Sequence, residues 1–248
     1  FRKPCNCSTG LSDRQRELAL IHSLPRWLEL GAFTLALLAG IVNAVGLLGF
    51  AHQSVSHLSG TATLLGAGLL SDTGAWHLLA ILLSFLLGAA ISGYLNRSET
   101  LSLGRHYDTL LVIEGALLLI AIAFLQREQG AGHYFASAAC GLQNAMATRY
   151  SGAVVRTTHV TGLFTDLGIM IGAALRGEHF DRRKASLFML IILGFTGGGS
   201  AGAWLYAGLG FFALTIPAVL CFLLALAYRI TRLRAASTPI GTEATRDE

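Results

Sequence analysis

Six stretches of this chain are too apolar, for too long, to be anything but helices held away from water. They lie at about 27–50, 74–95, 108–126, 133–150, 185–207 and 211–228. At 1.5 Å per residue, each can cross roughly 30 Å of hydrocarbon. Charged residues make up only 13% of the chain and hydrophobic ones 53%, whereas a soluble domain carries about a quarter charged. Most charges gather at 1–26, 96–108, 127–128, 176–184 and 229–248. A soluble helical bundle would need polar helix faces, which these runs lack. The expected fold is therefore an all-α integral membrane protein. Residues 1–26 form a polar cytoplasmic lead, 27–228 a single transmembrane domain, and 229–248 a cytoplasmic tail whose composition predicts disorder.

The net charge of +4 and a pI near 9.1 do not indicate a nucleic-acid partner. No basic helix carries interleaved aromatics, and the arginines flank apolar runs instead. Cys140 and Cys221 lie inside apolar runs and read as small core residues. Cys5 and Cys7 could pair or bind metal, but two thiols without nearby partners are a weak signal. The first apolar run begins near Trp27, after a long polar segment, and exceeds the length of a signal-peptide core. It is expected to remain in the membrane.

The chain also repeats itself. Gly40-Ile41-Val42-Asn43-Ala44 returns as Gly141-Leu142-Gln143-Asn144-Ala145, an offset of 101 (43 to 144). His57-Leu58-Ser59-Gly60-Thr61 returns as His159-Val160-Thr161-Gly162-Leu163, an offset of 102 (57 to 159). Farther on, Gly88 and Tyr94 align with Gly198 and Trp204 at an offset of 110 (88 to 198). The added residues fit in the basic loop 176–184, where insertion costs little. Repeat one spans about 27–126 and repeat two about 133–228, with the third spans diverged.

Two Gly-rich runs, about 58–70 and 160–175, are shorter than the rest. If both crossed the membrane fully, loops bearing Arg97, Arg105, Arg149 and Arg156 would fall outside. If both dip in and return, those loops lie inside with both termini, leaving only Arg127 outside, beside Glu128. The second arrangement obeys the positive-inside rule. It predicts six transmembrane helices plus two re-entrant or broken helices, and makes the halves inverted relative to one another.

The His-x-Ser/Thr-Gly element before each short run is the candidate site. Ser59 and Thr161 suit helix N-caps, and Gly60 and Gly162 admit close approach of backbone or ligand. Two broken-helix N-termini facing a common centre would favour an anion through dipole and unpaired N–H groups. Capping and close packing explain either element alone; finding both at matched positions, each with a histidine, favours a site. Asn43 and Asn144, inside the first span of each half, read as interhelical glue or as site ligands. Arg156, His57 and His159 are plausible neighbours of a solute. Glu114 and Asp166 are the intramembrane acids and the candidates for proton coupling. Asp166 could instead complement a helix N-terminus, and Glu114 could sit nearer the interface. Neither has an acidic match in the other half: Leu64 stands opposite Asp166, and Pro217 roughly opposite Glu114.

The glycine run Gly197 to Gly199 lacks the Gly-Lys-Ser/Thr ending of a phosphate loop and reads as a helix-crossing face. No metal spacing, cofactor motif or nucleophile–base set is present, so neither an enzyme nor a cofactor is expected.

At the paired Asn-Ala and Thr-Gly elements the chain resembles the YoaK-like family of bacterial membrane proteins, a domain-of-unknown-function family (DUF1275). Gly141 to Ala145 and Thr157 to Gly168 carry most of the likeness, with echoes at Gly40 to Ala44 and Ser59 to Gly66. Where members more often show Thr-Gly-Asn, this chain has Ser59-Gly60-Thr61 and Thr161-Gly162-Leu163. The resemblance implies a multi-pass protein of the bacterial cytoplasmic membrane and names no substrate. The residues themselves lead to a transporter or channel for a small polar or anionic solute, with a midplane site where the repeats meet. The alternative is a non-transporting membrane scaffold, in which the repeats only pack helices and form homo-oligomers.

Overall fold

The computed structural model describes residues 26–49, 55–68, 74–96, 106–150 and 157–237. Cys5, Cys7, Arg97 and Arg156 lie outside the described residues, as do 1–25 and 238–248. All regular structure among the described residues is helical. The long helices are α1 (Arg26–Gly49), α3 (Ala75–Leu95), α4 (Tyr107–Leu125), α5 (Ala131–Tyr150), α7 (Arg182–Leu209) and α8 (Thr215–Ser237). The short ones are α2 (Leu58–Gly68) and α6 (Val160–Leu175), and a 3-10 turn at Gly210–Leu214 separates α7 from α8.

Four segments are long and apolar enough to cross a membrane: Glu29–Gly49, Ala75–Leu95, Tyr107–Leu125 and Arg182–Arg234, the last holding α7 and α8 around their break. Helix α5, expected as a span, is not among them. Its burial explains why. Residues 136–144 of α5 are all buried, enclosed by α1, α3 and α4. A helix shielded by protein tolerates Gln143 and Asn144, whereas an outer helix cannot. The outer surface is apolar by the same logic: Leu86, Leu87, Leu193 and Leu223 are all exposed, and Trp76, Tyr94 and Trp204 are exposed toward helix ends, where amphipathic rings favour a bilayer interface.

Helix α8 corrects one expectation, because it continues through residues 229–237, where disorder is expected. Arg229, Arg232 and Arg234 are good helix formers, and cations complement a helix C-terminus.

Core contacts fix the direction of every long helix. Leu35 and Leu38 of α1 pack with Leu110 and Leu111 of α4, Leu142 and Met146 of α5, and Cys221 and Ala225 of α8. Further along α1, Ile41 to Val45 pack with Leu118 to Leu125, with Ala136 to Cys140, and with Ala213 to Ala218. Going up α1, the partners ascend in α4 and descend in α5 and α8. Gly194, Gly198 and Gly202 of α7 lie against Phe33, Leu37 and Ile41 in turn, so α7 ascends too. Helix α3 follows α5: His77 bonds His133, Ser137 donates to the Ile81 carbonyl, and Arg149 donates to the Gly93 carbonyl. Helices α1, α4 and α7 thus run one way, and α3, α5 and α8 the other. The end of α1 and the start of α3 lie at the same end of the bundle, so the chain through α2 returns to the level it left. The chain through α6 does the same at the opposite end.

The two largest helix interfaces are α1 with α7 and α3 with α5, and both depend on glycine. A Cβ at Gly40 would collide with the Phe195 carbonyl oxygen, and one at Gly141 with that of Phe85. A Cβ at Gly198 would collide with the Leu37 carbonyl, and one at Gly88 with that of Ala138. These are matched pairs: 40 to 141 and 37 to 138 share one offset, 88 to 198 and 85 to 195 the other. Residues aligned in sequence therefore make equivalent contacts in space.

Candidate functional site

The two short helices begin at one cavity. Its volume is about 380 Å³, and it is lined by Ser56, His57, Leu58 and Ser59 from one half and by Thr158, His159 and Thr161 from the other, with Phe85 of α3. Each half contributes a hydroxyl, a histidine and a second hydroxyl two residues later. Ser56 and Thr158 were not singled out from sequence, although they match at the same offset of 102 (56 to 158) as the histidines. Phe85 carried no such signal, because its wall position follows from packing on Gly141.

The expected capping roles are corrected by a shift of two residues. Helix α2 begins at Leu58 and α6 at Val160, so Ser59 and Thr161 lie inside their helices. The residue before α6 is His159, and its side chain makes no capping bond to the helix. Ser59 Oγ instead lies 3.2 Å from His57 Nε2. Because Ser59 and Thr161 lie inside their helices, their hydroxyls remain on the cavity wall. Gly60 and Gly162 are open positions: a Cβ at Gly60 would meet only His57 Cδ2, at 3.7 Å, and one at Gly162 would meet no described atom within 4 Å.

Asn43 secures the first wall. Ser56 Oγ donates to Asn43 Oδ1 at 2.6 Å, tying α1 to the segment that leads into α2. Asn144 is buried in α5, and its Oδ1 has no hydrogen-bond partner among the described residues. The two asparagines, matched in sequence, therefore differ in bonding. Glu114 is not in the cavity: it is 3% exposed on α4, hydrogen-bonded with Cys221 of α8 and close to Cys140 of α5. Asp166 is exposed on the outer side of α6. Arg156 belongs to the undescribed stretch just before Thr157.

A second polar group ties the start of α3 to that of α5. His77 bonds Tyr134 Oη through Nδ1 and His133 Nδ1 through Nε2, both at 2.8 Å. A cavity of about 390 Å³ between α4 and α8 carries Asp108 and Arg229 on otherwise mostly apolar walls. Among the described residues, no cluster of three or more His, Cys, Asp or Glu could hold a metal ion.

These features define an all-helical, membrane-like protein with a cavity where its two short helices begin. The chain belongs to the DUF1275 family, described as "protein of unknown function", whose profile matches residues 31–227. No curated protein and no solved structure matches the chain significantly.

Proposed function

We propose that the protein passes a small polar or anionic solute across the bacterial cytoplasmic membrane, through the cavity between the α2 and α6 starts. The single observation that carries this reading is that cavity: two histidines and four hydroxyls converge where two short helices begin. A helix start attracts negative charge through its dipole and free N–H groups, and the described lining residues bring no carboxylate to oppose an anion. Broken helices meeting at such a point are a recurring design of secondary transporters.

The helix directions support six crossings with two re-entrant segments, because eight crossings would require α3 to run with α1. They support inverted halves as well, since α1 runs opposite to α5, α3 opposite to α7, and α4 opposite to α8. Cytoplasmic termini follow from the positive charge at 176–184 and beyond 229. The scaffold alternative needs Gly60 and Gly162 packed against other helices, and the open space at both counts against it. Glu114 is the proton-coupling residue in this reading. Asp166, exposed and beyond the first turn of α6, takes no part in this reading.

The test is uptake into proteoliposomes of inorganic anions and small carboxylates. At least one should enter, and the His57→Ala/His159→Ala double variant should lose at least tenfold of that flux with an unchanged melting temperature. Absence of flux for every member of the panel sinks the reading. Cysteines introduced at Arg97 and Arg149 should react with an impermeant reagent from the cytoplasmic side only.

A further inference from the structure

Among the buried polar side-chain atoms that have no hydrogen-bond partner in the described residues are Glu114 Oε2, Gln143 Nε2, Asn144 Oδ1 and Thr157 Oγ1. Their residues are 3%, 2%, 8% and 0% exposed. Leaving such an atom bare costs about 1–3 kcal/mol, so four together would consume a large part of the ~5–15 kcal/mol that holds a domain folded. Buried polar atoms of this kind are normally satisfied by ordered water.

Helical spacing and the correspondence of the halves arrange them in order. Glu114 projects from α4 to Cys140 of α5, and Gln143 stands three residues on, on the same face of that helix. Asn144 comes next. Its first-half match, Asn43, bonds the segment entering the short helix through Ser56, and the corresponding second-half segment is Thr157-Thr158. Thr158 lines the cavity. The line thus leads from the α4 core, around α5, to the second wall of the site.

The first half has no such line. Val42 stands where Gln143 does, Val55 where Thr157 does, and Asn43 Oδ1 is satisfied. Since the fold accepts valine at both matched positions, packing does not require the second-half polar groups. We infer that ordered water bridges Glu114, Gln143, Asn144 and Thr157, forming a one-sided path by which the buried carboxyl exchanges its proton with the cavity. The proton leaves Glu114 Oε2 for the first water while the last water gives one up at the cavity wall, and a solvent proton returning along the same waters restores the neutral carboxyl, so the exchange balances. Only the cavity's role rests on the transport reading; the path itself does not.

The experiment is infrared spectroscopy of the full chain in lipid, following the protonated-carboxyl C=O band after transfer to D2O. Glu114→Gln should remove one such band. In the wild type that band should shift within the mixing time, and Thr157→Val and Gln143→Leu should each slow the shift at least tenfold. Thr34→Val, which removes a hydroxyl elsewhere on α1, should not. Thr157→Val restores the first half's own residue, so it keeps the test independent of misfolding. Exchange as fast as wild type in both variants, or a band unchanged by Glu114→Gln, overturns the path. Slowed exchange together with absent solute flux would refute transport and leave the path standing.

Discussion

Gly141→Ala tests the packing that brings the two halves together. The added Cβ would collide with the Phe85 carbonyl oxygen and lie 2.8 and 3.0 Å from its carbonyl carbon and Cα. Carbon atoms prefer about 3.5–4.0 Å, so α3 and α5 must part by roughly 0.5–1 Å. Overpacking of this kind costs about 1–3 kcal/mol. Loss of a close Cα–H···O contact adds about 0.5–1 kcal/mol, giving about 2–4 kcal/mol in total. Gly40→Ala should cost a similar amount, because it meets the matched Phe195 carbonyl. Gly162→Ala, with open space around it, should gain about 0.5–1 kcal/mol from helix propensity. Reversible unfolding in mixed micelles measures all three. If Gly141→Ala and Gly40→Ala both stay within about 0.5 kcal/mol of wild type, glycine-dependent contact of the halves is refuted.

Two further substitutions probe local supports. Asp181 caps α7 by accepting the N–H groups of Arg183 and Lys184, both at 3.0 Å; Asp181→Ala should lower stability by about 1 kcal/mol, seen as a lower midpoint in the same unfolding assay. His133→Phe keeps a ring beside His77 but loses their hydrogen bond. It should cost about 1–2 kcal/mol, and the start of α3 should exchange amide hydrogens faster.

Apart from the far end of α8, which runs on to Ser237, the apolar runs made the six long helices legible to within a few residues, because bilayer length and hydropathy constrain them strongly. The repeated element pointed to residues that share a cavity, since His57 and His159 both line it. What remained hidden depends on neighbours. Gln143 looks like a flaw in a span until α5 is seen enclosed on its buried faces. The run Gly197-Gly198-Gly199 reads as one crossing face, yet of these three only Gly198 meets the facing helix through its missing Cβ, because a helix presents every third or fourth residue. Ser59 and Thr161 look like caps because capping and site-lining use the same hydroxyls, and a shift of two residues in the helix start decides between them.

The cross-pairing of the halves has a consequence for biosynthesis. Helix α1 belongs to the first half, yet its most extensive partner is α7, which begins at Arg182. A ribosome adding about 5–20 residues per second takes on the order of ten seconds to cover that separation. Throughout that interval, the glycine-notched face of α1, with Gly40 ready for Phe195, waits without its partner. Neither half can therefore mature as a finished unit while the other is made. The nascent chain must hold a long, non-local pairing in reserve, which slows folding and makes release of a truncated first half a direct route to aggregation or to exchange of helices between chains.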